Sequence, residues 1–308
     1  MGVWDGVNLG MDITLRQVQD FLQVLTNGVA AGAVYALVAV SFILVYKAVG
    51  IVNFAAGEIV AVGGYVGVVL ANILGLPLVL SLLICIVLMS FFGYGFQFVV
   101  YRPLKGKSFL IIAISTLATG IILANGIQLI FGPAPRRLEP LLANPTVDIK
   151  GVFISVPNLI IIFISILTLI GIKFLFAKTR LGFQMMSTAQ DPEMAKLLGI
   201  NTDKMVSITF MLSFAIAGLV GFLIAPVLYL VPTMGLGIAL KGFAAAIIGG
   251  FGEVNGAIVG GLSIGILEIL FARYLSSSFQ SLLIFLVVLG FLYFRPEGIF
   301  NREIGQKV

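Results

Sequence analysis

IVAVGGYVGVVLANILGLPLVLSLLICIVLMSFFGYGFQFVVY, residues 59–101, is the longest stretch of this chain without a charged side chain. Glu58 and Arg102 bound it. A helix needs about 20 apolar residues to cross the hydrocarbon core of a bilayer. Residues 59–101 therefore hold most of two crossings. Comparable runs fill much of the remaining sequence, which is 60% hydrophobic and only 10% charged. An average globular domain carries about 25% charged residues. Only lipid makes so much apolar surface favourable to expose. The expected fold is all-α, a polytopic transmembrane helical bundle.

Nine hydrophobic segments are read: 22–46, 52–74, 77–101, 109–131, 156–177, 205–231, 236–250, 256–273 and 278–294. The seventh is short and holds Lys241, so it is read as re-entrant or half-length, leaving about eight or nine segments in all. Segment 52–74 opens with Gly50, Asn53, Gly57 and Glu58, the makings of a broken helix or a loop at its start. Residues 1–21 form an extracytoplasmic or interfacial segment, 22–300 the membrane domain, and 301–308 a cytoplasmic tail. Asp5, Asp12, Arg16 and Asp20 occupy the first twenty positions without a basic leader, so no cleavable signal is expected.

Basic residues set the orientation, because Lys and Arg concentrate in cytoplasmic loops. With nine crossings and the N-terminus outside, twelve fall inside and five outside: Arg16, Arg136, Arg137, Lys150 and Arg273. An even number of crossings stays open if 236–250 does not span. Two connections are long. Residues 132–155 contain Pro133, Pro135, Pro140 and Pro145 and are expected to be irregular. Residues 178–204 are cytoplasmic and carry helix punctuation. Asp191 is a fitting N-cap, Pro192 takes the first helical position, and Gly199 is placed to stop the helix. Met194, Leu197 and Leu198 share one face of that short helix. An apolar stripe exposed to cytosol needs a burial partner.

Catalytic machinery is not expected. The chain has no histidine and one cysteine, Cys85 in an apolar run, so no disulfide or cysteine-based metal site forms within it. No phosphate-binding Gly-Lys-Ser/Thr loop occurs, and no cofactor or metal is predicted. The net charge of +5 belongs to membrane topology, not to nucleic acid. Four acidic or basic groups fall at membrane depth: Glu58, Lys241, Glu253 and Glu268. Such groups are costly there and face a cavity or a partner. For Glu253, at an inner edge, a structural role is favoured. Glu58 and Lys241, with Asn53 and Gly57, are the candidate pathway residues.

Several motifs in order carry a family resemblance. They are Gly32-Ala33-Val34-Tyr35-Ala36-Leu37, Gly50-Ile51-Val52-Asn53-Phe54-Ala55-Ala56-Gly57-Glu58, Tyr101-Arg102-Pro103-Leu104 and Thr179-Arg180-Leu181-Gly182. Leu198-Gly199-Ile200-Asn201, Phe243-Ala244-Ala245-Ala246 and Phe294-Arg295-Pro296-Glu297-Gly298 complete the set. Over about residues 24–300 the chain resembles the LivH-type permeases of ATP-binding-cassette importers for branched-chain amino acids. The resemblance implies a multi-pass protein of the bacterial inner membrane that hydrolyses no ATP itself. It implies a second permease subunit resembling LivM, two ATP-binding subunits and an extracytoplasmic solute-binding protein, all around membrane lipid. It also implies that 178–204 is the coupling loop, with Asp191, Pro192, Met194, Ala195, Leu197, Leu198 and Gly199 in a helix docked on the ATPase. Two positions depart from the family pattern: Ala56 stands where relatives carry histidine, and Met186 lies near a position where they carry a basic residue. Urea or short amides as substrates, and an ion-coupled secondary carrier, are the alternatives. The carrier would need buried titratable groups along its pathway, which are sparse here.

Overall fold

The computed structural model of the chain describes residues 3–139, 146–149 and 152–300. Residues 1 and 2, Pro140, Pro145, Lys150 and the tail 301–308 lie outside the described residues. Among the described residues, eleven α-helices run α1 Val3–Val49, α2 Ala56–Val68, α3 Leu78–Phe96, α4 Phe109–Phe131, α5 Val156–Lys178, α6 Arg180–Gln190, α7 Pro192–Leu197, α8 Thr202–Ile224, α9 Met234–Gly249, α10 Val254–Tyr274 and α11 Gln280–Phe294. Wider π turns prolong α2 through Ile73 and α3 through Tyr101. Seven helices are long and apolar enough to cross a membrane, while α9 and α11 have 16 and 15 residues. The first helix begins well before the apolar stretch 22–46, so the N-terminal segment continues the helix that enters the bundle.

Polar contacts sort the two ends of the bundle. Asp20 of α1 pairs with Arg273 of α10 at one end, where Asn72 also donates to the Arg137 carbonyl. Lys105 pairs with Asp203 at the other, near α6 and α7. The chain leading to α9 starts at the Arg137 end, since Arg136 and Leu230 exchange backbone hydrogen bonds. It finishes at the opposite end, where the amides of Ile299 and Phe300 donate to Ile248 and Gly249. The seventh segment therefore runs from one end of the bundle to the other, although α9 covers only part of that path.

Close helix approach depends on small residues, because lipid tails supply no hydrophobic drive between helices. Gly28 and Gly32 of α1 lie against Ile266, Leu262 and Gly265 of α10. Gly63 of α2 meets Gly218 of α8, and Gly249 of α9 meets Gly256 of α10. These seams bury α2, α8 and the stretch of α1 from Gly32 to Val45 at the centre. By contrast, α3, α4 and α5 turn rows of leucine, isoleucine and phenylalanine outward, as a lipid-facing wall requires.

Two expectations about loops are corrected. Segment 205–231 is helical only to Ile224; the chain then turns through Pro226 and returns to pair with Arg136. Residues 132–155 are not irregular throughout. Strands β1 Thr146–Ile149 and β2 Val152–Ser155 form an antiparallel hairpin, with Val147 opposite Ile154 and Ile149 opposite Val152. The β-branched residues fit a strand, and the prolines that argued for irregularity all precede it.

Candidate functional site

Two helices start inside the bundle instead of at its ends. Before α2, residues 51–55 run back into the protein from the end of α1, with Ile51, Val52 and Asn53 buried. Ala55 packs on Gly120, at the middle of α4. The broken start expected for segment 52–74 is thus present. Irregular backbone at this depth needs internal partners. The Phe54 amide donates to Thr116 Oγ1 at 3.2 Å, and the Ala55 amide to Asn53 Oδ1 at 3.1 Å. From the other direction, residues 231–233 descend to the start of α9.

The two starts meet. Gly57 of α2 lies directly against Gly235 of α9, and a Cβ on Gly235 would come within 2.6 Å of the Glu58 amide nitrogen. The Glu58 carboxylate lies beside Gly235 in the first turn of α9, close to its own amide and to that of Leu236. One carboxylate thus serves the positive ends of two opposed helices, where negative charge is favoured. Asn53, Gly57 and Glu58 come together here, and Ala56, the departure from the family pattern, is buried beside them. Lys241 does not join them.

Lys241 instead lies at the floor of a cavity of about 900 Å³. The cavity reaches from Arg137 and hairpin residues Thr146 and Phe153 down to Lys241 of α9 and Glu268 of α10. Lys241 Nζ pairs with Glu268 Oε1. The Tyr35 hydroxyl of α1 donates to Glu268 Oε2 at 2.6 Å, and Lys241 Nζ sits 5.6 Å from the centre of the Tyr35 ring. Each charge thereby has a partner at a depth where an unpaired one is costly. Glu268 was visible in the sequence as a charge at membrane depth; its assignment to the site was not. Two opposite charges on consecutive helical segments were the available signal. Tyr35, 233 positions from Glu268 in sequence, offered none.

At the opposite end of the bundle, α6 and α7 form the 178–204 connection. Thr179 Oγ1 accepts from the Gly182 amide to start α6. Asp191 Oδ1 accepts from the amides of Glu193 and Met194 to start α7, as its sequence position predicts. Gly199 adopts φ +79°, the left-handed conformation that ends the helix. Asp191 also separates α7 from α6, so the two are distinct helices. Ala195 is only 2% exposed and seats α7, whereas Leu197 and Leu198 are 81% and 73% exposed. Met194 is exposed beside them.

A family model described as "Branched-chain amino acid transport system / permease component" matches residues 24–292. The chain belongs to this family. The permease is 31% identical over 307 residues to the high-affinity branched-chain amino acid transport system permease protein BraD of Pseudomonas aeruginosa, which covers 96% of this chain and 100% of the relative. It is 32% identical over 301 residues to LivH of Escherichia coli K12, a protein of the same description, covering 94% and 98%. A probable LivH of Methanocaldococcus jannaschii is 30% identical over 281 residues, covering 85% and 87%. Among solved structures, PsaBC from Streptococcus pneumoniae in complex with Fab aligns over 90% of this permease and 92% of that chain, with 19% identity and a TM-score of 0.48. At that level it supports no transfer of residues. Family membership makes the permease a transport component and not an enzyme, as the motifs implied.

Proposed function

We propose that this permease is the membrane subunit of an ATP-binding-cassette importer in the inner membrane, carrying a branched-chain amino acid. Its partners in this reading are a second, LivM-like permease, two ATP-binding subunits and an extracytoplasmic solute-binding protein. The observation that carries the reading is α7. A capped helix seated by Ala195, with Met194, Leu197 and Leu198 facing solvent at the Lys105 end, is built to be covered by another protein. A cytoplasmic ATPase is the occupant the motor of such an importer requires. An ion-coupled carrier has no use for this helix, and the relatives named for branched-chain amino acids favour that substrate over urea or short amides.

In the same reading Lys241 belongs to the solute's route through the large cavity. Asn53, Gly57 and Glu58 shape the route by holding the two broken helices head to head. Discontinuous helices of this kind form solute sites in other transporters.

The test is Leu198→Asp in the complete importer. A carboxylate placed in an apolar interface should lower uptake by at least about ten-fold, through lost assembly or uncoupled ATP hydrolysis. Wild-type uptake with normal co-purification of the ATPase would reject α7 as the docking element.

A further inference from the structure

The deepest polar group of the large cavity is a neutral unit, one ammonium and one carboxylate bonded to each other. We propose that Lys241 and Glu268 form a receptor for the zwitterionic head group of an α-amino acid, in which the solute's ammonium and carboxylate replace the bond between the two side chains. This deepens the amino-acid reading above and rests on it.

Three observations carry the inference. First, the two oxygens of Glu268 are used differently. Oε2 is held by the Tyr35 hydroxyl at 2.6 Å, while Oε1 bonds Lys241. A solute ammonium can take over Oε1 without disturbing the oxygen that fixes the carboxylate. The displaced Lys241, on a flexible stem, is then free for the solute carboxylate, and the face of Tyr35 remains beside it. Second, the exchange is balanced in charge. Before binding the site holds one ion pair; afterwards it holds two, and no net charge has entered the membrane. A solute with a charged side chain would bring an unpaired charge to this depth, which is heavily penalised. Third, part of the cavity lining is aliphatic. Val34, Ile161, Ile238 and Ile269 are among its lining residues, offering apolar surface to a branched side chain. The volume of about 900 Å³ falls within the range of small-molecule sites. The pair is also reachable, because both residues line the cavity and the Lys241 side chain keeps 15% of its surface exposed.

A purely structural ion pair would hold α9 to α10 and do nothing more. Two double variants separate the roles in the complete importer, reconstituted with its ATPase and binding protein in proteoliposomes. Lys241→Met with Glu268→Gln removes both charges and leaves no buried charge unpaired. Lys241→Glu with Glu268→Lys keeps the pair but reverses it. We expect both to co-purify with the ATPase as the wild type does. We expect leucine uptake to fall about ten-fold or more in each, the loss of at least one charged hydrogen bond to the solute. Wild-type uptake by either double would overturn the inference. So would failure of both to assemble, which would assign the pair to the fold. A wild-type complex that hydrolyses ATP but imports no amino acid would instead reject the reading beneath it, and the inference with it.

Discussion

Replacing Gly57 by alanine tests whether the two broken helices are held by direct backbone contact. Gly57 stands in the first turn of α2, and alanine there gains about 1 kcal/mol of helix propensity over glycine. Against this gain stands a clash. A Cβ on Gly57 would overlap the Gly235 carbonyl and come within 2.7 Å of the Ala239 Cβ. Overpacking of this kind costs about 1–3 kcal/mol. The upper end applies, because a backbone carbonyl in the first turn of α9 has no rotamer to move into. The net expectation is a loss of about 2 kcal/mol. At about 2–4 °C per kcal/mol, the midpoint should fall by about 4–8 °C. The assay is the temperature at which the detergent-solubilised permease loses its monodisperse elution peak. Gly126→Ala is the control: this glycine lies within α4, and its Cβ would meet nothing within 4 Å. The clash should appear at Gly57 and not at Gly126. Equal midpoints for both variants would refute the head-to-head packing of α2 on α9.

Glu58→Gln keeps an oxygen for the Leu236 amide but removes the charge that favours two opposed helix starts. At matched membrane expression, its apparent substrate affinity or transport rate should change; normal transport with only a reduced yield would remove Asn53, Gly57 and Glu58 from the pathway. Orientation is checked by single cysteines introduced after Cys85 is replaced, using an impermeant thiol reagent. Position 136 should label in intact cells and position 105 only in opened ones, because both side chains are exposed at opposite ends of the bundle. The reverse pattern would invert the topology.

Much of this protein was legible along the chain. Membrane insertion follows from composition alone, because no other solvent tolerates a run such as 59–101 in company with so many others. The start of α7 was legible for a local reason: Asp191 caps amides two and three residues away, so its role needs no tertiary contact. The break before α2 was marked by Asn53 and Gly57 in the same way. Partnerships between distant segments were not legible. Opposite charges on consecutive segments hint at Lys241 with Glu268, but nothing in the sequence adds Tyr35 of α1 to them; only the glycine seams, which let these backbones close together, decide it. Likewise the sequence identified Glu58 as a costly charge, but it lies beside the start of α9 only because that helix begins inside the bundle against Gly57. Local chemistry names the charged groups. Close packing between helices chooses which of them meet, because a lipid-embedded charge must find its partner within the protein.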